Sequence, residues 1–311
     1  MGTTVTDPTP MVTVGVPVFN GETFLAESLD SLRRQTVRDI EVIISDNGST
    51  DRSVQIAERF CEQDPRFRLI RHKVNQGGAF NHNFVVDQAR APFFKWGSHD
   101  DVCGPTLLER SIEILSQNPD AVLAYSDVQY IDNHGRHLKE LRRSLNIESD
   151  SPSGRLRHFF EYYTYPREAN AIIGVLRTDA LKVSGRIGPY PSSDLVLMAE
   201  LALAGRFVHI PELLFYRRDH RDRSTVVNRT AKEIAMWFDP RNTRWRDEFW
   251  WPMLRGYVNS INRASLPPTE RLRCFRVLRH WMWRRRRSLA YELFLDIRNG
   301  MRELGYRLVG G

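Results

Sequence analysis

The sequence predicts an α/β fold whose centre is a parallel sheet covered by helices. Two observations carry this: short β-favouring runs alternate with segments whose apolar residues recur at helical spacing, and polar turns separate them. Val12–Phe19 is the first run, broken only by Gly15 and Pro17 and followed by the Asn20-Gly21 turn. Phe24, Leu25, Leu29 and Leu32 then mark a helix. Ile40–Ile44 is almost continuously apolar, as a strand buried on both faces should be. It ends in Asp46-Asn47-Gly48-Ser49-Thr50-Asp51, which caps a helix with Ile56, Ala57 and Phe60 on its inner face. Phe67–Ile70 is a third strand, Asn75-Gln76-Gly77-Gly78 a loop and Ala79–Ala89 a third helix. The fourth strand, Phe93–Trp96, is aromatic and β-favouring; Gly97 and Ser98 stop it just before Asp100 and Asp101. The four strand ends thus carry Asn20, Asp46, Asn75 and Asp100, at the edge where open α/β sheets bind ligands.

Adjacent carboxylates repel, so the pair Asp100 and Asp101 suits a divalent cation that needs oxygen ligands. Standing before Pro105-Thr106-Leu107-Leu108, the same pair also suits the start of a helix. From these residues alone both readings stay open.

Beyond residue 120 the expected elements are shorter. Ala121–Tyr125, Val128–Ile131 and Ala171–Leu176 read as strands, and Asp132-Asn133-His134-Gly135 as a turn. Pro189–Ser193 is a loop leading to a helix at Asp194–Ala204, with Asp194 as its cap or as a functional carboxylate. Arg206–Ile210 and Leu213–Tyr216 make a pair of strands around Pro211, and Arg217, Arg218 and His220 follow.

A chain of 311 residues, 41% hydrophobic, is ample for a large core. Cys61, Cys103 and Cys274 are odd in number and lack metal-ligand spacing, which points to a reducing, cytoplasmic setting without structural disulfides. Met1–Pro10 has neither the basic nor the apolar part of a signal peptide and reads as a flexible tail, and no apolar run is long enough to span a bilayer. The net charge of +7 is uneven: residues 226–311 hold 18 Lys and Arg against 8 Asp and Glu, residues 1–225 hold 27 against 30. The same C-terminal segment contains every tryptophan but Trp96. We therefore divide the chain into a tail (1–10), an α/β portion (11–225) and a basic, Trp-rich helical segment (226–311). Arginines at 271, 273, 276, 279 and 284–287, set among Phe275, Leu278, Trp281, Met282 and Trp283, are what an anionic membrane surface attracts, with Trp281 and Trp283 at the headgroup boundary. A helix docked on the α/β portion with a solvated arginine face is the alternative. No zinc-finger, helix-turn-helix or RNP pattern accompanies the charge, so nucleic acid is not an expected partner.

Several short motifs together resemble the family 2 glycosyltransferases. They are Val16-Pro17-Val18-Phe19-Asn20 with Glu22, Ser45–Asp51, Asn75 with Gly77 and Asn83, Ser98-His99-Asp100-Asp101, Ser193-Asp194, and the Phe207–His220 stretch. The resemblance covers about residues 11–220 and implies a GT-A fold: a Rossmann-like mixed sheet covered by helices, with a nucleotide-sugar half (about 11–120) and an acceptor half (about 121–225), here carrying a C-terminal helical extension. It implies inverting transfer from a nucleotide-diphosphate sugar to a saccharide or lipid-linked acceptor, in bacterial cell-envelope glycan or glycolipid synthesis. By the same resemblance Pro17, Phe19, Asn20, Glu22, Asp46, Asn75, Gly77, Asn83 and Asp100 contact the nucleotide-sugar. Asp100, Asp101 and His220 hold Mn²⁺ or Mg²⁺, an arginine of the Arg217-Arg218 pair meets the phosphates, and Asp194 is the base. Ser98 stands where the family often has the first Asp of Asp-X-Asp, His82 where it often has Arg, and Ser193 where many relatives have Glu. A sugar-nucleotide pyrophosphorylase would need a Gly-rich phosphate loop after the first strand, which Val18–Glu22 does not provide. A catalytically silent sugar-nucleotide-binding protein is the other alternative; the presence of both Asp100 and Asp194 argues against it.

Overall fold

A computed structural model describes residues 9–163, 170–221, 223, 227, 230–241 and 249–309. The tail expected at residues 1–10 lies, apart from Thr9 and Pro10, outside the described residues, as do Trp245 and the boundary expected at 225/226. The first half alternates as its pattern predicts: β1 (Val12–Val18), α1 (Leu25–Arg33), β2 (Ile40–Asp46), α2 (Ser53–Gln63), β3 (Phe67–Arg71), α3 (Gly78–Asp87) and β4 (Phe93–Trp96). A short β5 (Val102–Cys103), α4 (Leu107–Gln117), β6 (Ala121–Ile131) and β7 (His137–Leu141) follow. Then come α5 (Pro152–Tyr162), a 3₁₀ turn (Asn170–Ile173), β8 (Val175–Arg177), α6 (Thr178–Val183), α7 (Ser193–Ala204) and β9 (Arg206–Arg218). The C-terminal segment contributes α8 (Ala231–Phe238), α9 (Trp250–Arg263) and α10 (Pro268–Val309).

The strands form one mixed sheet in the order β3-β2-β1-β4-β8-β6-β9-β5, with β7 also on β6. β1, β2, β3 and β4 run parallel. The chain leaves β1 toward β2 and β3 on one side, then returns to the other side for β4. That reversal makes the gap between β1 and β4 the topological switch point, where the loops leaving two adjacent strands part to opposite sides and open a crevice. The β1–β4 ladder stops at Gly15 and Trp96, before Pro17, which has no N–H to give it.

Side chains alternate between two cores, as the period-two geometry of strands requires. Val12, Val14, Val16, Ile40, Val42, Ile44 and Phe93 face α1 and α4, with Leu25, Leu29, Leu108 and Leu115. Ile43, Phe94 and Trp96 face the other layer, with α3, α5 and α7. The C-terminal segment enters this second core directly: Met253, Leu254, Tyr257, Ile261, Cys274, Leu278, Trp281 and Leu289 are all part of it. Trp281 is only 5% exposed, against Phe160, Trp250 and Tyr257, so its expected place at a membrane headgroup boundary is wrong. Its position on α10 follows Cys274 and Leu278 at helical spacing, which turns it inward. Glu292 accepts hydrogen bonds from the N–H groups of Phe249 and Trp250 at 3.0 Å, placing a carboxylate at the N-terminus of α9. All three cysteines are free.

Three expected elements change. Ala121–Tyr125 and Val128–Ile131 are one continuous strand, and so are Arg206–Ile210 and Leu213–Tyr216. The two long strands lie parallel, with Ser126 opposite Ile210 and Asp127 opposite Leu213; Pro211 and Glu212 sit in a bulge that accepts a residue without an N–H. Of Ala171–Leu176, the first residues form the 3₁₀ turn and only Val175 and Leu176 pair in the sheet, between β4 and β6.

Gly77 has φ +95°, and a Cβ on it would stand 2.3 Å from the Phe238 carbonyl oxygen of α8. Gly77→Ala should destabilise the fold by about 2 kcal/mol or more, through left-handed backbone strain and displacement of α8. Denaturant unfolding checks this; an unchanged midpoint would contradict the close approach.

Candidate active site

The carboxyl ends of β1 and β4 open into a cleft of about 570 Å³. Pro17 lines it from β1, Phe19 and Asn20 from the loop that follows, Asn47 and Asn75 from the neighbouring loops, and Asp100 and Asp101 from the loop after β4. Asp194, at the start of α7, lies on the same lining, as do Asn170, Ile172 and Ile173 of the 3₁₀ turn and Arg217 of β9. Lys95, fully buried in β4, donates to the Ile173 carbonyl and so anchors that turn.

Asp100 and Asp101 do not cap α4; β5 separates them from it. The antiparallel register of β5 on β9, Val102 opposite Tyr216, brings the double carboxylate against Arg218 and His220. Arg218 is 1% exposed; its guanidinium donates to the Asp100 carbonyl at 3.0 Å, to the Asp132 carbonyl at 2.9 Å and to Glu27 at 2.6 Å. It packs 4.5 Å over Phe24. Arg218 is therefore a strut behind the cleft, and of the two arginines expected to meet phosphates only Arg217 lines it.

The Asp100 side chain accepts from the Ser98 hydroxyl, and its Oδ2 lies 3.0 Å from His220 Nε2. Ser98 thus serves as a hydrogen-bond donor to Asp100. Burial raises the Asp100 carboxyl, but the His220 hydrogen bond, the nearby His99 and the Ser98 hydrogen bond outweigh it and hold the group ionised, well below the usual range. Burial and the Asp100 charge push Asp101 the other way. One Asp101 oxygen accepts the Arg218 backbone N–H at 2.8 Å.

Asp194 is in the first turn of α7, two residues past the left-handed Ser192, so it is not the cap residue. Its Oδ1 accepts from the adjacent Leu195 N–H at 2.9 Å. Burial pushes its carboxyl up, against smaller opposing effects of that N–H and of Arg217.

The remaining expected residues divide. Asn75 Oδ1 accepts from Asn47 at 2.9 Å and from the Gly77 N–H at 2.8 Å, on the lining. Asp46 is buried behind it; Oδ2 accepts from the Gly48 and Ser49 N–H groups at 3.2 Å, while Oδ1 has no donor among the described residues. His220 stands behind Asp100, edge-on to Phe24, and its buried Nδ1 likewise has no partner among the described residues. Glu22 turns away from the cleft to bind Arg52 at 3.0 Å. Asn83 exchanges two hydrogen bonds with Ile187, and Gly77 packs beneath Phe238. Glu22, Asn83 and Gly77 thus shape the walls without lining the cleft. His82 does line it; burial keeps its imidazole below the usual value, so it does not supply the fixed charge of an arginine.

Trp237 of α8 is on the lining too, and a Cβ at Gly78 would fall 2.8 Å from its ring. The sequence offered a signal in the Gly77-Gly78 pair, a mark of close approach, but not the partner. Nothing in the pattern brought residues 226–311 to the cleft.

Residues 13–178 match the family model described as "Glycosyl transferase family 2". The uncharacterized glycosyltransferase EpsJ of Bacillus subtilis is 38% identical over 109 residues, 35% of this chain and 31% of that protein. An uncharacterized glycosyltransferase of Haemophilus influenzae is 28% identical over 139 residues, 45% of this chain and 55% of that protein. The chain therefore spans about half or less of these curated relatives. Among solved structures, S. aureus TarS 1-349 in complex with UDP-GlcNAc superposes with a TM-score of 0.58 at 18% identity, over 88% of this chain and 72% of that one. The mannosyltransferase PcManGT from Pyrobaculum calidifontis, in complex with GDP-Man and Mn²⁺, gives 0.52 at 16% identity, over 96% and 82%. The sheet and its covering helices are those of the GT-A fold.

Arg218→Met would leave the Asp100 and Asp132 carbonyls buried without their donor. The expected loss is about 2 kcal/mol of unfolding free energy. Arg218→Lys should not restore it, since an ammonium cannot span the same acceptors. A Lys variant as stable as the parent would contradict the strut.

Proposed function

The chain belongs to glycosyl transferase family 2, and on that premise we propose that it transfers a sugar from a nucleotide-diphosphate sugar to an acceptor hydroxyl with inversion at the anomeric carbon. One observation carries the reading. Asp100, held ionised, and Asp194, raised by burial, line a single cleft at the switch point of the sheet. The saccharide or lipid-linked acceptor and the cell-envelope setting belong to the same proposal.

The nucleotide lies along β1 and β2. Phe19 offers its ring to the base, and Asp46 stands behind the cleft wall with Oδ1 lacking a donor among the described residues, the acceptor we assign to a base N–H once the ligand displaces that wall. Asn20 and Asn75, each fixed by loop hydrogen bonds, present polar edges to the donor. The diphosphate reaches the wall formed by Asp100 and Arg217, where the Arg217 cation offsets the charge of the leaving group.

The donor set at Asp100 fits a hard divalent cation. A buried carboxylate oxygen and an imidazole nitrogen face each other at 3.0 Å, and Asp101 lines the same wall. Among the described residues no group of three His, Cys, Asp or Glu side chains could hold a metal by itself. Mn²⁺ or Mg²⁺ would thus take Asp100, with His220 and Asp101 beside it, and would draw its other ligands from phosphate oxygens and water. When bound, the cation supplies charge neutralisation for the departing diphosphate.

Asp194 faces the acceptor. Its raised carboxyl is a better base than an exposed aspartate and accepts the hydroxyl proton as the oxygen attacks the anomeric carbon.

A thermal-shift screen of UDP-, GDP- and dTDP-sugars, with and without Mn²⁺, tests donor binding. One donor should stabilise the chain, more strongly with Mn²⁺, and Asp100→Asn should remove the Mn²⁺ increment; no response to any of them would sink the proposal. With that donor, Asp194→Asn should keep the thermal shift but cut turnover about a hundredfold or more. Parent turnover should fall as pH drops through the raised Asp194 pKa, a midpoint above the 3.8 of an ordinary aspartate. An acid limb that persists unchanged in Asp194→Asn would assign it to another group.

A further inference from the structure

The outward face of α10 carries a pattern that the transferase reading does not use. Leu272, Trp283 and Phe294 are 53%, 65% and 58% exposed. They stand 11 residues apart, about three helical turns or roughly 16 Å, so they form one nearly straight apolar ridge along the helix. Arg276 and Arg279 follow Leu272 by four and seven residues, and Arg286 and Arg287 follow Trp283 by three and four, which sets them on the same face. All four are exposed, and no carboxylate pairs with them among the described residues. The Arg286 guanidinium lies 4.3 Å over the Trp283 ring. The opposite face, with Cys274, Leu278, Trp281 and Leu289, is sealed in the core.

We propose that this ridge is a docking surface for an anionic lipid bilayer, with Trp283 and Phe294 entering the headgroup boundary and the flanking arginines meeting lipid phosphates. Three features select that occupant. The arginines flank the apolar line on both sides, so a surface binding one must also accept the other. A bilayer of anionic lipid offers both, negative charge above and hydrocarbon beneath. A second copy of the chain would bring like charges together across the ridge, and a nucleic acid would leave Leu272, Trp283 and Phe294 against its polar backbone. No helix among the described residues is long and apolar enough to cross a membrane, so α10 would lie on the surface.

The binding is independent of turnover and is measured without it. The intact chain is sedimented with phosphatidylcholine vesicles, with and without phosphatidylglycerol, across a range of salt. It should bind only the anionic vesicles, with affinity falling as salt rises. The double variant Arg286→Gln, Arg287→Gln should lose about tenfold or more in partitioning at low salt. The double variant Trp283→Ser, Phe294→Ser should lose binding while its melting temperature, set by the inward face, stays unchanged. Brominated acyl chains should quench parent fluorescence, and Trp283→Phe should remove most of that quenching. Absent binding, equal binding to neutral vesicles or indifference to these substitutions would overturn the proposal. So would a dimer in sedimentation velocity that Trp283→Ser dissociates.

Discussion

The seating of β5 against the end of β9, which brings the Asp100-Asp101 loop onto Arg218 and His220, is the constraint on which the site depends. Asp100 and Arg218 are 118 residues apart in sequence, and two carboxylates on one strand end repel unless positive charge or donors meet them. β9 supplies both. Arg218 clamps the Asp100 and Asp132 carbonyls, its backbone N–H holds Asp101, and His220 reaches the Asp100 carboxylate. The result is an unequal pair. Asp100 keeps its charge, while Asp101 is driven toward its neutral form. A single fixed charge at the switch point of the sheet is what the proposed cation and diphosphate would meet.

The opposite rim of the cleft is held by loop-to-loop hydrogen bonds. Asn20, in a left-handed conformation, accepts from the Thr50 N–H at 2.9 Å, and Asp51 accepts from the Glu22 N–H at the same distance. Glu22 returns the contact through Arg52. These residues tie the loop after β1 to the loop after β2, so that Phe19 and Asn20 present a preset edge to the cleft. Asn75 and Asn47 do the same on the next loop. The rim requires few apolar contacts because its backbone groups are satisfied locally.

The first half of the fold was legible because β1, β2 and β4 are buried on both faces and are rich in apolar residues, and α1 and α2 show their own period. The carboxyl-end residues Asn20, Asn75 and Asp100 followed from that alternation, and all three line the cleft. The second half was less legible for physical reasons. β6 and β9 contain polar residues and a proline at mid-strand, which their mutual parallel pairing and a bulge absorb. Local sequence cannot register such partners. Glu22 and Asn83 look like ligand-binding polar residues, yet their hydrogen bonds are spent on Arg52 and Ile187. Trp281 and Trp283 sit two residues apart, and helical geometry alone sends one to the core and the other to solvent. Trp237 in the cleft depends on a tertiary contact with Gly78 that no periodicity encodes.

The proposed reaction is a single displacement in which a base on the Asp194 side activates the attacking oxygen. With water in place of the acceptor, the sugar released by hydrolysis of the donor reports the stereochemistry without the acceptor being known. Proton NMR of the sugar first released from an α-linked nucleotide-diphosphate donor, recorded before mutarotation, tests the claim most directly. The β-anomer should appear first. First release of the α-anomer would contradict a single inverting displacement.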